Sequence, residues 1–387
     1  MKKILITGGA GFIGSTLSRL LVLKGYNVTI LDNFSEKIHG DNYMESFLFK
    51  KLPLECRIIK GDVRDKQLMI ETLNSVDTII HLAAETGTGQ SMYDIDNYFD
   101  VNVMGTANIL DIITNHKIKI SKIILASSRS VYGEGKYLCE NHGVIYPDSR
   151  KQSRLVNEKY DCYCPHCDLV LKSIPTDEKS WTNPDSIYAV TKLAQEQMIK
   201  AQCAALNIEY TILRFQNVYG AGQSLTNPNT GILSIFSRLL LENKEINIFE
   251  DGYESRDFIN VEDVAEGIYK ALITNFDTTN TVFNIGSGNS ISVLEIAETL
   301  KKYYHSKSNI RISGDFRLGD IRHNKADVTY ALEYLNWEPI ISFEDGIKEF
   351  AEWVQSQKES YKMKSSQYDE SLDELKERGL LVDRNNN

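Results

Sequence analysis

The run Thr7-Gly8-Gly9-Ala10-Gly11-Phe12-Ile13-Gly14 constrains this 387-residue chain more than any other stretch. It follows a short β-branched segment, Lys3 to Thr7, and precedes an amphipathic one, Ser15 to Lys24. Glycines spaced G-x-x-G-x-x-G at such a junction permit a tight turn, let backbone N–H groups approach a pyrophosphate and let a helix pack close to its strand. The helix N-terminus adds partial positive charge. Asp32 ends the second β-branched segment, which starts at Asn27, and a carboxylate there accepts hydrogen bonds from ribose hydroxyls and repels a 2′-phosphate. Its neighbours Asn33 and Phe34 offer no cation, so the pattern predicts NAD rather than NADP, held by Gly8, Gly11, Phe12, Ile13, Gly14, Asp32 and Asn33. Asp62 and Val63, after the third segment, are candidates for the adenine, although Asp62 could equally cap the next helix. Leu82, Ala83 and Ala84, after the fourth, complete the cofactor set, and His81 before them reads as a packed histidine.

The alternation continues. Arg57 to Lys60, Thr78 to Leu82, Lys122 to Ser127, Tyr210 to Phe215 and Val282 to Ile285 read as strands, with Val101 to Asn115 as one of the helices between them. Strand–helix alternation predicts an α/β Rossmann fold, a doubly wound parallel sheet with helices on both faces. We expect a dinucleotide-binding domain over 1–220, interrupted by an insertion at 134–180. A smaller C-terminal substrate-binding lobe follows over 221–357, with 258–285 returning to the first domain. Residues 358–387 form a polar tail with a short helix at Ser371 to Arg378 and a disordered terminal Asn triplet.

A net charge of −10 argues against a nucleic-acid binder, which needs a basic face. No run reaches the roughly 18 apolar residues of a membrane span, and no leader precedes the glycine loop. A cytoplasmic chain is expected, with its six cysteines outside disulfides.

Tyr188-Ala189-Val190-Thr191-Lys192 opens a helical stretch, and a separation of four puts both functional side chains on one face. A phenol is a poor base at neutral pH. A nearby ammonium, with the positive nicotinamide of NAD, would stabilise the phenolate. Lys192 is also placed to hold the cofactor. Ser128, just past the fifth strand, lies on the carboxyl edge where ligands bind such sheets and would hydrogen-bond the substrate oxygen.

From Met1 to about Val354 these motifs resemble the extended short-chain dehydrogenase/reductase family, which includes nucleotide-sugar epimerases and dehydratases. The likeness extends through His81-Leu82-Ala83-Ala84, Ser127-Ser128 to Tyr132-Gly133, and Arg214-Phe215-Gln216-Asn217-Val218-Tyr219-Gly220. It implies a catalytic group of Ser128, Tyr188 and Lys192, a nucleotide-diphosphate sugar as substrate, and a homodimer built from the helices at Val101 to Asn115 and Ser186 to Ala205. Asn217, Arg256 and Arg322 would contact the diphosphate, and Ser91 and Tyr132 would shape the sugar pocket. The family's 4,6-dehydratases carry an Asp-Glu pair before the V-Y-G triplet; Arg129-Ser130 stands there in this chain, which favours a 4-epimerase. The segments around Gln90, Gly133, Asn227 to Gly231, Asp320 and Leu372 to Leu380 are similar to the dTDP-L-rhamnose 4-epimerase-like subgroup. A dehydratase, a net oxidoreductase and a non-catalytic dinucleotide sensor are the competing readings.

Within the insertion, Cys139-x-x-His142 and Cys164-x-x-Cys167 form two short-spaced pairs joined by a longer loop. That is the spacing of a structural zinc site. Cys162 is an extra thiol, and the alternative is a loop of free thiols.

Overall fold

The computed structural model describes residues 2–225, 227, 231–274, 281–357 and 366–384. Seven strands build the central sheet: β1 (Lys3–Thr7), β2 (Asn27–Asp32), β3 (Arg57–Lys60), β4 (Thr78–His81), β5 (Lys122–Ser128), β6 (Glu209–Phe215) and β7 (Thr281–Ile285). Their spatial order is β7-β6-β5-β4-β1-β2-β3, and every pairing is parallel. The chain reverses direction between β1 and β4, and at their carboxyl ends the doubly wound topology leaves a crevice.

Alternation within the strands explains the two-sided cover. Ile4 and Ile6 of β1 face a core shared with α1 (Phe12–Leu23), through Leu17 and Leu21. Leu5, between them, faces the opposite core with α2 (Lys66–Leu73), α3 (Gly105–Asn115) and α4 (Ile187–Leu206). Strands buried on both faces need apolar residues at consecutive positions, and this sequence supplies them.

Helix α5 (Val261–Ile273) packs Val264 and Ile268 into the same core as α1, so this late segment lies on the sheet. A third core gathers Tyr219, Leu233, Phe236, Ile246, Phe258, Ile296 and Phe350 into the smaller lobe. The insertion is a three-stranded sheet: Tyr137–Cys139 pairs antiparallel with both Gly143–Ile145 and Lys172–Ser173.

Three features differ from the sequence expectations. The helix expected from Val101 starts as a π-helical segment, Phe99–Met104, where Asn102 bonds the backbone of Glu85 and the Thr191 hydroxyl. Such widened turns recur at functional sites. The C-terminal helix is longer than expected, Ser366–Glu377, and the chain then returns as a strand, Leu381–Val382, paired with Phe316–Arg317. Leu375 and Leu381 are buried there, so this segment docks rather than trails; the Asn triplet lies outside the described residues. All six cysteines are free of disulfides, and among the described residues no helix is long and apolar enough to cross a membrane.

Candidate active site

Helix α1 opens at Gly11 with no side-chain cap and no acidic residue in its first turn. Its first N–H groups are therefore available to an anion. Gly8 has φ +68°, and a Cβ there would meet the Ala83 nitrogen at 2.8 Å. A Cβ on Gly14 would lie 2.4 Å from the Gly8 carbonyl oxygen, so loop and helix are in direct backbone contact. Asp32 accepts from the Ala10 and Phe34 N–H groups at 3.0 and 2.9 Å. Arg64 grips Asp62 through two bonds of 2.8 Å and holds its carboxyl below the usual range.

Gly8, Gly11, Gly14, Asp32 and Asp62, with Phe12, Ile13, Asn33, Val63, Leu82, Ala83 and Ala84, line a cavity of about 440 Å³ that reaches Tyr188 and Lys192. An uncapped helix end, glycines with no room for a Cβ and carboxylates at the strand ends fit a dinucleotide. Lys37 and His39 line it too, which their distance from the glycine loop in sequence concealed. Lys37 is taken by Glu85 at 3.0 Å and Gln90 at 2.7 Å. Burial lowers the His39 pKa against the pull of Asp32, leaving the ring neutral near pH 7. Neither presents a free cation to a 2′-phosphate.

A second cavity, about 290 Å³, is lined by Ser128, Arg129, Asn217, Arg256 and Asp320, and shares Gly87, Tyr188, Gln223 and Gly231 with the first. Tyr188 thus sits where the two cavities meet. Ser186 caps its helix by accepting from the Ala189 N–H at 3.2 Å. The charge balance differs from expectation. Burial raises the Tyr188 pKa, and the Ser128 hydroxyl and the Arg129 charge pull it back only in part. Lys192 donates to the Ala126 carbonyl at 3.0 Å, 5.9 Å from the Tyr188 ring centre, and burial lowers its own pKa to about 7. The chain by itself does not lower the phenol's pKa.

His81 is a packed residue, between the hydroxyls of Thr7 at 2.7 Å and Thr106 at 3.0 Å, with its pKa pushed by burial to about 3.

Of the substrate candidates, Asn217 and Arg256 line the second cavity. Arg256 is aimed by the carbonyls of Ser255, Ile321 and Arg322, at 2.8–3.2 Å. Three others line neither cavity. Ser91 is fully buried and donates to the Thr88 carbonyl at 2.6 Å. Tyr132 lies against Arg214 and donates to Asn284 at 2.8 Å, inside the protein. Arg322 is held by Asp251, Glu250 and Asp161 at 2.7–3.2 Å, so its guanidinium is spent on carboxylates rather than facing a diphosphate. Gln216, Gln223 and Arg129 also line the cavity, and no motif marks them as doing so. In the sequence, Arg129 stands out only for the carboxylate it replaces.

Away from this cleft, Cys139, His142, Cys164 and Cys167 converge, their ligand atoms all within 4.8 Å of one another. Cys139 Sγ lies 3.6 Å from both His142 Nδ1 and Cys167 Sγ, and Cys164 Sγ 3.5 Å from His142 Nδ1. Those are edge lengths of about 3.5–3.8 Å, as expected for a tetrahedron with zinc–ligand bonds of about 2.0–2.3 Å. Cys162 is not part of the cluster.

A doubly wound sheet with a glycine-loop cavity meeting a Tyr-x-x-x-Lys helix at its carboxyl edge defines a dinucleotide-binding α/β protein of short-chain dehydrogenase type. Residues 5–149 match the family model for GDP-mannose 4,6 dehydratase and 165–286 that of the NAD dependent epimerase/dehydratase family. A dTDP-L-rhamnose 4-epimerase of Burkholderia thailandensis is 38% identical over 91% of this chain and 95% of its own. A putative UDP-glucose 4-epimerase of Methanocaldococcus jannaschii is 33% identical over 91% and 98%. The structure of UDP-glucuronic acid 4-epimerase from Bacillus cereus, in complex with UDP-glucuronic acid and NAD, matches with a TM-score of 0.75 and 27% identity over 92% of this chain and 99% of that one. The chain belongs to the NAD-dependent epimerase/dehydratase family, among the nucleotide-sugar epimerases of the extended short-chain dehydrogenases.

Proposed function

We propose that this chain is a nucleotide-sugar 4-epimerase whose substrate is a dTDP-linked 6-deoxyhexose such as dTDP-L-rhamnose. The observation that carries the reading is Tyr188 at the junction of the two cavities, with Ser128 beside it and no carboxylate at 129 or 130 to eliminate water. Identity to the Burkholderia enzyme favours the sugar.

The glycine loop, Asp32, Asp62 and Lys192 would hold NAD, which when bound supplies the hydride acceptor and donor for C4. Tyr188, as phenolate, takes the proton of the 4-hydroxyl, with Ser128 hydrogen-bonded to the same oxygen. Asn217 and Arg256 keep the diphosphate anchored while the 4-keto sugar turns its other face. Tyr188 then returns the proton to the inverted centre. Burial raises the phenol's pKa in the protein alone, and a positive nicotinamide ring held beside it would offset that rise.

Incubating the protein with dTDP-L-rhamnose and following C4 by NMR tests this. Exchange between the epimers without net growth of reduced-nicotinamide absorbance is expected, and a loss of roughly 10²-fold or more in Tyr188→Phe. Net reduction would point to an oxidoreductase instead, and absence of exchange with any nucleotide sugar would remove the epimerase reading. We further propose that the Cys139, His142, Cys164 and Cys167 cluster binds a structural zinc ion, supported by the convergence of its four ligand atoms within 4.8 Å of one another, and that the active protein is a cytoplasmic homodimer.

A further inference from the structure

Beyond its pull on the Tyr188 phenol, Arg129 has no role so far. It follows Ser128 and lines the second cavity beside Tyr188. Its Nη1 is buried without a hydrogen-bond partner, and no carboxylate among the described residues forms an ion pair with it. By contrast, three other arginines around the cleft are bonded to carboxylates: Arg150 to Glu134 and Glu250, Arg214 to Glu196, Arg322 to Asp251. Arg129 is itself only partly buried, but a guanidinium N–H enclosed without an acceptor is costly, and a ligand in the cavity would supply one. Burial, with Arg256 adding repulsion, lowers the Arg129 pKa to about 10 against the attraction of Glu134, Asp185 and Asp320, which leaves it charged at neutral pH.

The neighbours define what completes it. Three more residues lining the same cavity carry buried, unpartnered polar atoms: Ser130 Oγ, Gln216 Oε1 and Gln223 Oε1. A guanidinium N–H asks for an acceptor, whereas the glutamine carbonyls ask for donors. Vicinal hydroxyls serve both, because each donates one hydrogen bond and accepts others. A carboxylate only accepts. Charge points the same way. The cavity wall carries Arg129, Arg256 and Asp320; Arg256 is left to meet the diphosphate, and Asp320 disfavours a further negative charge on the sugar.

We propose that Arg129 is a specificity-determining residue that donates through Nη1 to a ring hydroxyl of an uncharged hexose held over Tyr188, in a pocket that disfavours uronates. This rests on the nucleotide-sugar reading above and narrows it.

The test is calorimetric binding to the NAD-loaded protein, comparing dTDP with dTDP-L-rhamnose and UDP with UDP-glucuronate, so that each difference isolates the sugar. In the wild type the neutral sugar is expected to add affinity over its nucleoside diphosphate, and the uronate to add less or to subtract. Arg129→Met should weaken dTDP-L-rhamnose roughly tenfold or more, the usual effect of losing a hydrogen bond to a charged group, while dTDP changes less than about twofold. Arg129→Lys, a point charge without the fork, should recover part of the loss. NAD content and melting temperature of both variants report whether they fold. Equal losses for dTDP and dTDP-L-rhamnose would place Arg129 on the diphosphate and overturn the proposal. So would a wild-type preference for the uronate, or an unchanged sugar affinity in Arg129→Met. A wild type that binds dTDP or UDP but gains nothing from either sugar would sink the nucleotide-sugar reading, and this inference with it.

Discussion

Lys192 carries a conflict between stability and chemistry. Its ammonium is buried against the Ala126 carbonyl, and its pKa falls from 10.5 to about 7 because burial outweighs the attraction of Glu196. Between those two values the unfolded chain binds more protons at this side chain than the folded one. Stability therefore rises with pH across that window, and the penalty is fully present below about pH 7. Lys192→Met, which cannot titrate, should make the cofactor-free protein more stable by roughly 2–4 kcal/mol at pH 7. The gain should vanish towards pH 10, while turnover is lost. Denaturant midpoints of both proteins from pH 6 to 10 check this, and parallel curves would contradict it. Residue-scale roles are unevenly legible. Tyr188 and Lys192 announce themselves by helical spacing, but a guanidinium reveals nothing of its partners. The motif around Arg322 offers it to a diphosphate, yet it is locked by carboxylates from Asp161, Glu250 and Asp251, residues distant in sequence from it.

At the scale of elements, the insertion is the part whose stability most needs explanation. Its own apolar cluster is small: Tyr137, Cys139, Cys162, Cys164 and Leu171. One fastening is Arg150, which bonds Glu134, Glu250 and the carbonyls of Tyr160 and Asp320; the proposed zinc on the Cys/His cluster would be the other. Arg150 therefore ties the insertion to the segment whose Asp320 faces the second cavity. Protein purified without a histidine tag should carry about one equivalent of zinc by elemental analysis. Less than about a tenth of an equivalent would end the metal proposal. Cys167→Ser should lower the melting temperature by roughly 5 °C or more. NAD content should stay unchanged, since no residue of the insertion lines the cofactor cavity. Pair spacing makes this cluster legible in the amino-acid sequence, because hairpin knuckles bring residues three apart together. The docking of the C-terminal segment is not legible there: Leu375, Leu380 and Leu381 are too few to show a period.

For the whole molecule, two lobes meet over a cleft whose cofactor side is built largely by the first half of the chain and whose second cavity draws on both. The proposed dimer would use the surface of α3 and α4. Phe99, Met104 and Val190 lie exposed at or next to their starts, 36%, 51% and 37% accessible, and a helix-paired interface would cover them. Sedimentation velocity should give about twice the 44.0 kDa chain mass, and Met104→Glu should shift it towards the monomer. A wild type that sediments as a monomer at micromolar concentration would refute the dimer.

The amino-acid sequence by itself determined the doubly wound sheet, the dinucleotide loop, the Tyr188–Lys192 helix and the two short-spaced Cys/His pairs. Each is written in contiguous residues, as an apolar period, a glycine spacing or a helical repeat, and local backbone geometry is enough to read it. Only the tertiary structure decided which charges are free to meet a ligand. Arg322, which the motif offers to the diphosphate, is neutralised by carboxylates from three other places in the chain. Arg129, conspicuous in the sequence only for the carboxylate it replaces, is the guanidinium left open beside Tyr188. Whether a buried charge is spent or available depends on groups brought together across the whole fold, and no local pattern encodes that.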